Sequence, residues 1–214
     1  MTTYFKVKKK CALCGAESTF EVIGSTSSFG SPDLDLRPSQ LQRSTIDHWV
    51  EVCPECGYTA GDVEEETKVK PEMMKVPAWE TFDGIPFKGQ LSKNFYRAYL
   101  LAAAVDDEKT AFTMLRNAAW ASDDEENAEA ALTCRKKAIP FLNRMIEKEE
   151  ERERRLTLEV MRADLLRRAE MFEEVEKLYA NWSTGDKLLN QIIKFQRRMA
   201  KMKNTKRFTV EDAL

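Results

Sequence analysis

The sequence has a single histidine and no long apolar run. His48 is the only histidine in 214 residues, which excludes any mechanism that needs a histidine pair. No stretch approaches the ~18 consecutive apolar residues of a membrane-spanning helix, so the sequence predicts no membrane segment. Residues 1–4 show no secretory pattern, and we therefore expect a cytoplasmic protein.

Neither sign of charge is in large excess. The chain has 34 lysines and arginines against 36 aspartates and glutamates, which gives a net charge of −2 near neutral pH. A nucleic-acid-binding domain usually carries a basic excess. Any nucleic-acid signal in this sequence must therefore be local.

Cysteine is also scarce, but four of the five cysteines form two CxxC-Gly motifs, at residues 11–15 and 53–57. The glycine after each second cysteine lets the backbone turn its N–H groups toward sulfur. Two such motifs, both flanked by strand-like sequence, supply four thiolates for one tetrahedral metal ion. A shell of four thiolates leaves no open position for a substrate. We predict one structural zinc ion with the ligands Cys11, Cys14, Cys53 and Cys56.

Other uses of the cysteines were weighed. A disulfide framework would leave Cys134 over, and its helical surroundings suggest a small buried residue instead. A thioredoxin-like redox site needs one CxxC motif in a βαβ unit. A rubredoxin-like iron site stays open as the alternative to zinc, because four thiolates hold iron equally well. His48 is interpreted as a strand residue, since four cysteines already complete the shell.

Strand-like segments at 3–10, 19–23 and 46–52 predict a small antiparallel ribbon around the cysteines. A sheet of this size has little core of its own, so metal binding would supply folding energy. The interval between the two motifs exceeds the usual ribbon spacing of roughly 15–20 residues, which requires an inserted loop.

The inserted loop contains a charged group of residues. Asp33 and Asp35 alternate with leucines, so an extended backbone would place both carboxylates on one face, near Arg37. Long loops often carry function, and these three residues are candidates for binding a ligand or a partner. The alternative is a loop that only anchors itself to the helical body through Phe29, Leu34 and Leu36.

From Leu91 onward the apolar residues recur at three to four positions, as in helices. The predicted fold class is α+β, mainly α, with a small antiparallel zinc ribbon followed by an antiparallel helical-repeat body. The predicted domains are a ribbon with its loop at 1–61, an extended linker packing on the body at 62–90, and a helical-repeat domain at 91–214. Ser92 is the expected N-cap of the first long helix, and Pro140 is expected to kink a later one.

The last predicted helix begins near Lys187 and has a basic face. Eight basic residues and no acidic residue lie between Lys187 and Val210. The candidates for contact with nucleic acid or an acidic partner are Lys194, Arg197, Arg198 and Lys201. No aromatic residue interleaves the basic face of this helix, which argues against stacking on a single strand. The alternative is a solvated helix face.

Two helix pairs resemble tetratricopeptide-type repeats, in which small and large apolar residues recur at fixed offsets. The residues that fit are Ala163, Leu166, Val175 and Tyr179 in one pair, and Phe95, Ala111, Leu115 and Ala118 in the other. Some expected apolar positions hold Glu159 and Arg162, so the body is repeat-like, not regular.

The whole chain resembles a bacterial family of uncharacterised proteins with an N-terminal CxxCG/CPxCG zinc ribbon and a helical C-terminal part. The segments that carry this resemblance are Cys11–Gly15, Phe29–Pro38, Cys53–Tyr58 and Leu189–Thr209. The resemblance implies the architecture and no particular activity.

The sequence supports three functional hypotheses. The first is a non-enzymatic, metal-stabilised scaffold or adaptor whose helices bind a protein partner. The second is a nucleic-acid-binding module that uses the ribbon and the basic helix. The third is an enzyme built on Asp33, Asp35 and Arg37, which ranks last because no general base, nucleophile or phosphate-binding motif accompanies them.

Overall fold

The N-terminal strands form a long hairpin. Strand β1 (Thr3–Lys10) pairs antiparallel with β2 (Glu17–Ser25), with Lys10 opposite Glu17 and Val7 opposite Phe20. The first strand has the predicted bounds, and the second extends beyond the predicted segment 19–23. This hairpin presents the first CxxC motif in the turn between its strands.

The remaining strands are only two residues long. They are β3 (Ser28–Phe29), β4 (Gln40–Leu41), β5 (Glu51–Val52) and β6 (Thr59–Ala60). The expected strand over 46–52 is wrong for its first half, because a 3-10 helix spans Gln42–His48. Local bonds hold that helix: the Thr45 hydroxyl donates to the Gln42 carbonyl, and Trp49 Nε1 donates to Thr45 Oγ1 at 2.9 Å.

Helices make up most of the chain, which confirms a mainly α, α+β fold with small antiparallel sheets; the repeat type stays a prediction. The helices are α1 (Ala78–Thr81), α2 (Gln90–Ala104), α3 (Glu108–Asp124), α4 (Ala128–Lys148), α5 (Arg152–Arg168), α6 (Phe172–Tyr179) and α7 (Lys187–Lys201). Helix α4 continues through Pro140 to Lys148. None of the helices combines the length and the apolar character needed to cross a membrane.

The computed structural model, which describes residues 1–214, divides the chain into two compact units. Unit 1 contains Met1–Ser28 and Gln40–Cys134, and unit 2 contains Phe29–Ser39 and Arg135–Leu214. The division falls inside the inserted loop and inside α4. The domain boundaries predicted from the sequence, after residues 61 and 90, stay predictions. The two compact units meet instead after residues 28, 39 and 134.

Each unit is built on packed helices. In unit 1, α2 packs on α3, on α1 and on β6; in unit 2, α5, α6 and α7 pack on one another. The eight residues that carried the repeat resemblance are all buried. The apolar period therefore marks the buried faces, as a helical period should.

Helix α2 begins after Gly89, not at the expected N-cap Ser92. The Glu125 carboxylate accepts hydrogen bonds from the backbone N–H of Gly89 and of Ser92, and from the Ser92 hydroxyl at 2.7 Å. A Cβ on Gly89 would lie 2.0 Å from Glu125 Oε1. The end of α3 thus caps the start of α2, and only glycine leaves room for this approach.

Four helices end in the same turn. After α2, α3, α5 and α7, one residue has φ between 51° and 63°, and the N–H of the next residue bonds back to a carbonyl five residues earlier. This is the Schellman arrangement, which usually has glycine at the positive-φ position. Here the position is held by Asp106, Glu126, Glu170 and Lys203.

This turn yields a prediction for Glu126, which is exposed with φ 52°. Glu126→Gly should raise the free energy of unfolding by about 0.5–1 kcal/mol, because it removes a left-handed strain of about 1–2 kcal/mol at some cost in chain entropy. The matched control is Lys136→Gly in the exposed middle of α4, which should cost about 1 kcal/mol. Urea unfolding of both variants measures the difference. A destabilised Glu126→Gly variant would contradict the assigned backbone conformation.

Candidate metal centre

The two CxxC motifs meet in unit 1. The distance from Cys11 Sγ to Cys56 Sγ is 3.8 Å, and that from Cys14 Sγ to Cys53 Sγ is 3.7 Å. All four sulfur atoms lie within 4.8 Å of one another. A tetrahedral ion with metal–sulfur bonds of ~2.3 Å has sulfur–sulfur edges of about 3.8 Å. The four cysteines therefore fit a metal site without rearrangement.

The backbone of the two motifs is folded in the same way. The N–H of Gly15 bonds to the Cys11 carbonyl at 2.8 Å, and the N–H of Gly57 bonds to the Cys53 carbonyl at 2.9 Å. Both glycines have positive φ, 76° and 77°. This conformation is open to glycine at little cost, which explains the residue type after each second cysteine.

Backbone N–H groups also point at the sulfur atoms. Burial opposes ionisation of the Cys53 thiol, but the N–H groups of Cys56 and Glu55 stabilise its thiolate and lower its pKa to about 7. Burial raises the pKa of Cys56 to about 12, and nearby Cys14 acts in the same direction. Four thiols this close cannot all ionise by themselves. A bound cation would remove the opposition between them.

An ion pair connects the strands that precede the two motifs. Lys9 Nζ lies 2.7 Å from Glu51 and 3.0 Å from Asp62, and these bonds outweigh burial so that the pKa of Lys9 is raised. The other Glu51 oxygen accepts from the N–H of Val63 at 3.0 Å, and the Val63 carbonyl accepts from the N–H of Ala12 at 2.8 Å. One carboxylate thus links the strand before the second motif to the first motif.

The metal-binding cysteines belong to a hydrophobic core. Cys11 and Cys53 are buried together with Tyr58, Val63 and Leu101 of α2. Val69 and Trp79, from the segment expected to be a linker, complete this cluster. The candidate metal site is therefore continuous with the helical core of unit 1.

The remaining cysteine and the histidine lie outside the cluster. Cys134 is fully buried in α4. The His48 ring contacts Asp47 at 2.7 Å and Glu21 at 3.3 Å, and stacks on Tyr4 with ring centroids 4.6 Å apart. The cluster thus contains four cysteine ligands and no histidine.

The similarity to a known family covers nearly the whole chain, from the first strand to the tail after α7. A family profile described as an uncharacterised protein conserved in bacteria, DUF2225, matches residues 4–208. The chain belongs to the DUF2225 family. This match confirms the resemblance to an uncharacterised bacterial family. The resemblance of the helices to tetratricopeptide repeats stays a prediction. Neither the curated proteins nor the solved structures gave a match.

The charged loop of this DUF2225 member lies inside unit 2. Asp33, Asp35 and Arg37 are each only 1% exposed, as is Leu34, whereas Phe29 is 66% exposed. Only one of the expected apolar anchors is therefore fully buried, because Leu36 is also exposed. The assignment of this loop as a binding site stays a prediction.

The loop pairs with the C-terminal tail. The N–H of Leu34 donates to the Phe208 carbonyl at 3.0 Å, and the N–H of Val210 donates to the Pro32 carbonyl at 2.9 Å. Asp33 and Thr209 form an antiparallel bridge between these bonds. Two segments that carried the family resemblance are thus neighbours in space.

Buried charges surround this pairing. Arg168 Nη1 lies 3.1 Å from Asp35, and Arg167 Nη2 lies 2.6 Å from Asp164, with its Nη1 donating to the carbonyls of Asn204 and Lys206. Burial lowers the pKa of Arg167, which Asp164 opposes. Sequence reasoning missed these arginines because charged helix residues are normally solvated.

The basic candidates on α7 differ in their surroundings. Arg197 donates to the Ala180 carbonyl and pairs with Glu176 at 3.2 Å, and Lys201 lies 3.7 Å from the same carboxylate. Lys194 and Arg198 are exposed, and the Arg198 guanidinium lies 5.2 Å from the Phe195 ring centroid. The basic face is thus partly neutralised by α6.

Two ion pairs on α5 have the same spacing but opposite environments, which gives a matched test. Arg167→Ala should lower the free energy of unfolding by about 3–5 kcal/mol, because it leaves the buried Asp164 charge without its partner. Arg154→Ala removes an exposed partner of Glu151 and should change stability by at most about 0.5 kcal/mol. Chemical denaturation measures both. Similar losses for the two variants would argue against a structural role for the buried pair.

Proposed function

We propose that this protein is a zinc-stabilised, non-enzymatic scaffold or adaptor of the cytoplasm that binds a protein partner through its helical body. The supporting observation is the cluster of four cysteines, whose sulfur atoms all lie within 4.8 Å of one another and could supply a complete four-sulfur shell for one ion. Such a site offers no position for a substrate or an activated water. Its contribution is to folding.

The proposal assigns a structural role to the metal for a second reason. Cys11 and Cys53 share a hydrophobic cluster with Leu101 of α2 and Trp79. An ion that holds the two motifs together also holds the surface that α2 packs on. Binding free energy of a structural ion is then folding free energy for unit 1.

Zinc is proposed over iron because a redox-inactive ion suits a site that is part of the core. The rubredoxin-like alternative uses the same four ligands, and metal analysis separates the two. Binding of nucleic acid is the less favoured alternative, because two of its four candidate residues, Arg197 and Lys201, already pair with Glu176.

The metal assignment makes a direct prediction. Purified protein should contain one zinc ion per chain, and a chelator should lower its melting temperature. Cys53→Ser should abolish metal binding, because Cys53 is buried and is a central ligand. Cys134→Ala is the matched control and should keep one ion per chain. Elemental analysis and thermal melts measure these outcomes; iron with a reversible redox step would instead indicate electron transfer.

The adaptor role has its own test. Tagged protein purified from its native host should retain a specific partner, and chelation should release that partner because unit 1 loses its core. Quantitative mass spectrometry of the retained proteins measures this, with Cys53→Ser as the metal-free control. Repeated purification without any enriched partner would contradict the adaptor role while leaving the structural zinc site intact.

A further inference from the structure

Unit 1 contains a cleft between the chain that follows the second CxxC motif and helices α2 and α3. Its volume is about 140 Å³. The buried part of its lining consists of Tyr58, Thr59, Val69, Ala98, Leu101 and Ala102, of which Thr59 is polar and Tyr58 carries a hydroxyl, with Val105 beside them. The cleft thus has a largely apolar floor and a polar rim, and it opens to solvent.

The size of the cleft restricts its occupant. Sites for cofactors and drug-sized molecules usually measure about 300–1,000 Å³. A volume of about 140 Å³ suits one or two amino-acid side chains. A peptide segment that inserts a side chain therefore fits better than a small-molecule cofactor.

The rim of the cleft has one sign of charge. Asp62, Glu65, Glu66 and Asp107 line it, and no lysine or arginine does. Two of these carboxylates have partners within the chain: Asp62 pairs with Lys9, and Asp107 accepts from the N–H of Thr110. Glu65 and Glu66 are exposed and form no ion pair.

The acidic field reaches into the cleft wall. The exposed Glu65 and Glu66 line the cleft together with the buried apolar residues Val69 and Leu101. Tyr58 and Thr67 both line the cleft. A cation placed there would meet unbalanced negative charge next to apolar surface.

We propose that this cleft is the docking site for an extended segment of a partner protein that carries a lysine or arginine next to a leucine-sized aliphatic side chain. The aliphatic side chain packs on the apolar floor of the cleft, and the cation pairs with Glu65 and Glu66. This inference rests on the proposed adaptor function and gives the chemistry of the partner.

The cleft is also tied to the metal centre. The Tyr58 carbonyl accepts from the N–H of Cys53 at 2.8 Å, and the Tyr58 N–H bonds to Cys56. Loss of the metal should therefore distort the Tyr58 wall. Peptide binding and metal content are expected to fall together.

The test uses the full-length, metal-loaded protein and a fluorescein-labelled octapeptide, Gly-Ser-Arg-Leu-Leu-Arg-Ser-Gly. Fluorescence anisotropy should show saturable binding that weakens as salt is added. The double variant Glu65→Lys with Glu66→Lys should bind about tenfold more weakly, because two attractive charges become repulsive. A peptide with glutamate in place of arginine should not bind.

The matched control changes the net charge equally at two residues that do not line the cleft. Glu147→Lys with Glu150→Lys alters two exposed acids and should bind within about twofold of the unaltered protein. Equal weakening by both double variants, or binding of the glutamate peptide, would overturn the inference. So would a lack of saturable binding at low salt.

Failure of this inference can be distinguished from failure of the adaptor function. If a native partner is retained equally by the Glu65→Lys, Glu66→Lys variant, the adaptor role stands and the cleft assignment is lost. If no partner is retained by any variant, the adaptor role itself is lost. A shift to a dimer on gel filtration that depends on Glu65 and Glu66 would identify a second copy of the chain as the occupant and overturn the assignment to a partner protein.

Discussion

The clustering of four cysteine side chains, whose thiols cannot all ionise without a cation, is the constraint on which unit 1 depends. The sulfur atoms lie within 4.8 Å of one another, and two of the cysteines are buried in the same cluster as Leu101 of α2. Four thiolates at this density would need a cation, and the strands on either side of the second motif are only two residues long. We therefore expect metal binding and core formation in unit 1 to be coupled, as in small metal-dependent folds.

In unit 2 the buried charges are balanced by pairing between side chains. Its inserted loop brings Asp35 into the interior, where Arg168 lies 3.1 Å away, and Arg167 binds Asp164 together with two carbonyls of the tail. Buried ion pairs add little net stability, but each partner is costly to remove. Such a network specifies where the loop and the tail must lie, since any other register would leave a charge buried alone.

Both constraints involve side chains that the sequence offered as candidate site residues. The cysteines form a closed site, and the loop carboxylates are held by arginines in the interior. The candidate binding surface is instead the cleft beside the second CxxC motif, which has a largely apolar floor and an acidic rim. A fold of this kind is suited to holding a partner segment in place, and the proposed functions follow from that surface.

The sequence alone determined the features that depend on local spacing. The CxxC-Gly motifs identified the four clustered cysteines, and the helical period located the start of α7 at Lys187. Only the tertiary structure decided that residues 42–48 form a 3-10 helix, that the loop pairs with the tail, and that Arg167 is buried. The last two depend on partners far away in sequence or on burial, and the 3-10 helix depends on side-chain hydrogen bonds that the strand-like pattern does not reveal. A charged or β-branched residue has the same local preferences whether its distant partner is present or not.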